Sequence, residues 1–197
     1  MKQLKRIGLA ALVTTALSAL AGAPSASATT LEVRGIVQNR AVSIHLTMRA
    51  GTSSLTKDTF GFSQNTCLEG TAQGETERVF TTAGTGAIGG ALKTVTVSRC
   101  SLEPMVVHRA GTLSVQWIRG TTNGTVFSSG LEQTVPVPGG TVTTCTTNNT
   151  PIGTLTGVAR GNAIIDVTGV IACTGVGTVI WTGTFTVTSP EGLGVVE

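Results

Sequence analysis

Between Val176 and Ser189 the chain reads VGTVIWTGTFTVTS, and from Thr178 to Thr188 apolar and polar positions alternate almost without a break. Val179, Trp181, Phe185 and Val187 share one parity, with Gly183 between them. Thr178, Ile180, Thr182, Thr184, Thr186 and Thr188 share the other. A period of two sends successive side chains to opposite faces of a strand, so the segment predicts a long β-strand with one face in a core and one in water.

The same pattern recurs in shorter runs. Val42, Ile44, Leu46 and Met48 alternate with Ser43, His45, Thr47 and Arg49, and Val95 and Val97 mark a strand ending at Cys100. Leu113, Val115 and Trp117 form an apolar face, and from Ala163 to Cys173 every second residue is small or apolar. Turn signals separate these runs, among them Asn123-Gly124, Pro138-Gly139-Gly140, Arg160-Gly161 and Pro190-Glu191-Gly192. Short strands are expected at 59–66 around Phe60 and Phe62, and at 78–82. The stretch from Glu69 to Glu77 reads as a hairpin or loop, and the Gly-rich stretch around Gly84 to Gly90 as a turn. No window sustains a helical period. The prediction is an all-β chain of about ten to thirteen strands. An antiparallel β-sandwich is favoured, because strand lengths vary and Pro136 marks an edge strand. A closed up-and-down β-barrel is the alternative.

Lys2, Lys5 and Arg6 precede an apolar run from Ile7 to Leu20, and Ala26-Ser27-Ala28 follows. This is the pattern of a secretory signal peptide over 1–28, leaving 29–197 as a single exported domain. The run is short for a membrane span. The charge argument changes with it. Without those three cations the ten remaining Lys and Arg match the ten Asp and Glu, so basicity gives no reason to expect a nucleic acid or an anionic membrane as partner.

Four cysteines in an exported chain read as two disulfides with three possible connectivities. Chain order suggests Cys67–Cys100 and Cys145–Cys173. Each would stabilise the fold by about 3–4 kcal/mol in the chain-entropy picture.

The layout resembles an uncharacterised family of small secreted actinobacterial proteins of the Streptomyces type, Gly/Thr-rich β proteins with four cysteines. The resemblance rests on the Ala-rich leader, TFGFSQNTC, GAIGGALKTVTVSRC, the GTLTG and GVIAC pair, and a last strand running into Ser-Pro. It implies export and an all-β fold and carries no catalytic residue.

Catalytic parts are sparse. No G-x-S-x-G elbow is present. His45 and His108 could meet Asp58 or Asp166 in a triad, but a strand histidine among Thr and Arg reads first as a surface residue. Glu69, Glu75 and Glu77 are the only crowded carboxylates for a glycosidase pair, and Glu103 with His108 has no recognised metal-ligand spacing. The glycine run lacks the lysine and helix of a phosphate cradle. Trp117 and Trp181 share parity with core aliphatics, so they read as core residues before binding platforms. The expectation is a non-enzymatic extracellular or cell-wall-associated β-domain with a binding or structural role. It needs no cofactor or metal, does not insert in a membrane, and has a cell-wall or protein partner. Two alternatives stand beside it: a secreted hydrolase, and a small-ligand carrier with a barrel cavity. The residues to test for ligand contact are Trp117, Trp181, His45 and His108.

Overall fold

The structure is a computed structural model that describes residues 29–50, 52, 54–58, 63–77, 86–102, 105–137 and 141–197. The expected signal peptide at 1–28, the strand at 78–82, Phe60, Phe62, Glu103 and the turn at 138–140 lie outside them. The described residues form fifteen β-strands and no helix. In chain order these are β1 (Thr30–Val33), β2 (Ile36–Val37), β3 (Ser43–Met48), β4 (Ser54–Asp58) and β5 (Ser63–Thr76). Next come β6 (Ala87–Cys100), β7 (Val106–Arg109), β8 (Thr112–Trp117), β9 (Gly124–Ser129) and β10 (Glu132–Val137). The last are β11 (Thr141–Thr146), β12 (Thr150–Thr156), β13 (Ile164–Cys173), β14 (Gly177–Ser189) and β15 (Leu193–Val196).

Eight strands close on themselves. β3 pairs with β5, and β5, β6, β8, β9, β12, β13 and β14 follow in order until β14 returns to β3. Every one of these pairings is antiparallel. The all-β antiparallel expectation is met. Of the two architectures considered, the up-and-down barrel forms and the sandwich does not. The physical reason is β14. It is long enough to pair with the whole of β13 on one side and with both β3 and β4 on the other, so the sheet has no free edge there to end on.

Two further pieces close the ends. Past the Cys173 end of β13, the sheet continues through β11, β10 and β7, and this flap crosses the opening to lie against β5 and β6. At the opposite end β1 pairs with β2 and β15, bringing both ends of the described chain together over the barrel mouth. Leu31, Leu193 and Val195 of this small sheet are buried. Thr29 pins it, because its hydroxyl accepts the Trp117 N–H at 3.0 Å and donates to the Gly86 carbonyl.

The disulfides are Cys67–Cys100 and Cys145–Cys173, the pairing suggested by chain order, and each joins residues directly opposite in a ladder. Such pairs fit an oxidising compartment. Among the described residues β7 pairs only with Glu132, Gln133 and Thr134, so the one described neighbour of Pro136 is β11. No helix among the described residues is long and apolar enough to cross a membrane.

Two readings are corrected. Glu69 to Glu77 is not a hairpin or loop: through Thr76 it is the core-lining half of β5. The glycine run is not a turn beyond Gly86, because Ala87 to Gly90 open β6 as strand. In β5, Gly70, Ala72 and Gly74 serve as small inward residues, which composition alone reads as breakers.

Candidate functional site in the barrel lumen

β14 lines the lumen with Val179, Trp181, Phe185 and Val187, all buried. Gly183 leaves room between the two rings, which meet edge to face with centroids 6.5 Å apart. β13 adds Ile165, Val167 and Ile171, while β3 adds Leu46 and Met48. Across from them β5 presents Gly70, Ala72 and Gly74, alternating with Glu69, Thr71, Gln73 and Glu75 on the outside. The small residues match their large partners: a Cβ on Gly70 would stand 3.0 Å from Met48 Cε and 3.4 Å from Phe185.

One irregularity shapes this wall. Gln73 faces Thr94 and Gly74 faces Leu92, so Lys93 is an extra residue bulged out of β6. The bulge lets both Leu92 and Val95 turn inward despite their odd spacing. Lys93 itself reaches Glu75 on the outer surface at 2.6 Å.

The lumen is not completely filled. A cavity of about 80 Å³ lies under the terminal sheet, bounded by Leu31, Ile44, Ile88, Val115, Leu155 and Leu193. A second, of about 50 Å³, lies deeper, against Val97, Val126, Ile152, Trp181 and Phe185. Leu46, Ala72, Leu92, Leu113 and Ile165 line both, so one layer of side chains separates them. The lining is almost wholly apolar, and such space stays free of water because a water there would lack partners.

The residues singled out from sequence do not converge. Trp181 lines the deeper cavity. Trp117 packs at the rim under the terminal sheet, its indole N–H donating to the Thr121 carbonyl at 2.6 Å. His45 is exposed on the outer face of β3, and its carbonyl accepts from the Thr188 hydroxyl. His108 is exposed on the flap, 2.6 Å from the Thr134 hydroxyl. Asp166 accepts from Thr184, Glu75 pairs with Lys93, and Glu69 pairs with Arg99. Among the described residues no group of three His, Cys, Asp or Glu could hold a metal ion. The lumen residues of β5 were missed in the sequence, although their alternation with outward polar residues is a strand signal. No protein-family profile, curated protein or solved structure matches the chain.

Proposed function

We propose that this protein acts outside the cell as a non-enzymatic β-barrel that binds a small apolar molecule in its lumen. The observation that carries the reading is the pair of adjoining apolar cavities, the deeper one lined by Trp181, in a barrel whose ends are covered by the flap and the terminal sheet. An eight-stranded barrel has an interior that side chains can just fill or that can hold one small ligand. Here the filling is incomplete beside Ala72, the one small side chain that lines both cavities. Each cavity alone is smaller than the ~150 Å³ of an engineered apolar cavity that takes up benzene; a shift of the one side-chain layer between them would join them into a space that approaches it, still below the roughly 300 Å³ of ordinary drug-sized sites. The ligand class is therefore a single aromatic ring or a short branched hydrocarbon.

Export is supported by the leader pattern and by two disulfides. The outward residues of the barrel strands, such as Thr47, Thr71, Gln73 and Thr96, suit water rather than a lipid-facing band. The dispersal of His45, His108, Asp166 and the β5 carboxylates, most of them engaged by Thr, Lys or Arg, favours binding over hydrolysis.

The test is a thermal scan with benzene, toluene and isobutane-saturated buffer, paired with amide spectra of the labelled protein. Binding should raise the melting temperature with ligand concentration and perturb Leu46, Ile165 and Trp181. Ala72→Leu, which fills the space between the cavities, should abolish both effects while the protein stays folded. A folded protein that responds to none of these ligands would overturn the proposal.

A further inference from the structure

On the outside of the barrel, where β6, β8 and β9 run side by side, the register sets Gly89, Ser114 and Phe127 in one rank. Ala87 and Gln116 lie in the rank on one side, Ala91, Thr112 and Ser129 in the rank on the other. Because Ala87, Gly89 and Ala91 carry at most a methyl group, the surface sinks between Phe127 and Glu77 into a trough of about 270 Å³. Its floor is open: a Cβ built on Gly89 would meet nothing nearer than the Glu77 carboxylate at 3.8 Å.

The walls of the trough join an outward aromatic ring to polar side chains. Trp117, Trp181 and Phe185 are in the core or packed against it, whereas Phe127 is turned outward and belongs to no core cluster. Beside it stand Glu77, Ser114, Gln116 and Asn149, whose side chains make no hydrogen bond to another described residue. On the neighbouring β5–β6 ladder several outward polar groups pair with one another instead: Glu75 with Lys93, Glu69 with Arg99 and Ser98, Thr71 with Thr96. Asn149 is held in the left-handed region at φ 49°, with its backbone N–H on the Ser129 hydroxyl at 2.8 Å.

We infer that this trough is a saccharide-binding site, separate from the lumen and independent of what the lumen holds. A pyranose ring has an apolar C–H face, which can lie on the Phe127 ring, and a hydroxyl rim that needs both donors and acceptors. Gln116 and Asn149 supply both, Ser114 can act as either, and Glu77 supplies a charge-assisted acceptor. One carboxylate and no cation among the described lining residues disfavour phosphate, sulfate and uronate ligands. The occupant is a neutral or amino-substituted sugar unit, and the small volume limits the trough to about one or two rings.

The experiment titrates the folded, labelled protein with soluble chito-, cello-, xylo- and malto-tetrasaccharides. Resonances of Ser114, Gln116 and Phe127 are followed alongside affinity by calorimetry. At least one sugar should move those resonances in a saturable way. Phe127→Ala should weaken its binding at least about tenfold, or 1.4 kcal/mol, while Phe127→Trp retains it. Gly89→Val is the decisive control. Its side chain enters the open trough, where it should block binding, yet a β-branched residue suits a strand and meets no clash, so the melting temperature should hold. If Phe127→Ala fails to fold, Gly89→Val and Gln116→Ala still decide the matter. The inference fails if no sugar perturbs these residues, if Gly89→Val binds as wild type, or if only a peptide included as a control moves them.

Discussion

Adjacent glycines of β6 carry opposite duties. Gly90 points inward, and a Cβ there would lie 2.8 Å from the Glu75 carbonyl and 3.0 Å from Thr76 Cα, both backbone atoms that cannot yield cheaply. Gly89 points outward into open space. Gly90→Ala should therefore lower stability by about 1–3 kcal/mol, the usual cost of overpacking. Gly89→Ala should be neutral or stabilising by up to about 1 kcal/mol, since glycine in a strand loses the most chain entropy. Parallel urea denaturation of the two variants checks this, and equal midpoints would refute the assignment of faces.

At the scale of elements, the two disulfides join different kinds of neighbours. Cys67–Cys100 lies in a long β5–β6 ladder that continues to Thr76 and Gly90, so its strands are already held together. Cys145–Cys173 ties the flap to the barrel where β11 and β13 share only two registered pairs. Replacing each pair by serines should remove about 2–5 kcal/mol in either case, but the local consequence should differ. Loss of Cys145–Cys173 should raise amide exchange across β7, β10 and β11 selectively, whereas loss of Cys67–Cys100 should leave flap protection near its global value. Hydrogen exchange read by mass spectrometry separates the two outcomes.

For the whole molecule, the terminal sheet matters more than its size suggests. β1 and β15 meet through the register Thr30 to Val196 through Val33 to Leu193, and Leu31 and Leu193 face the larger cavity. Val158 N–H donates to the Leu193 carbonyl and Val195 N–H to that of Thr122, so β15 is also stitched to the rim. Deleting residues 193–197 removes two buried apolar side chains, Leu193 and Val195, and uncovers Leu31 and the lumen. The truncated protein should melt well below the full chain and bind a hydrophobic dye that the intact barrel excludes. Unchanged melting and no dye uptake would mean that the sheet is not a plug.

Much of this was legible in the chain itself. The alternation in β14, β13 and β3 is carried by side-chain period alone, and it sorted Trp181 and Phe185 to the core face and the threonines outward before any contact was known. Cysteine order likewise anticipated both disulfides. Barrel closure was not legible, because whether β14 returns to β3 depends on accumulated twist and stagger, which no local window encodes. Nor were the two cavities, since Gly70, Ala72 and Gly74 read as loop residues until Met48 and Phe185 are set against them. The trough depends on the same kind of fact: Gly89, Ser114 and Phe127 lie far apart in sequence, and only the strand register makes them neighbours. Sequence determined which face each residue takes, a local property of the backbone; tertiary structure decided which faces meet and what space they leave.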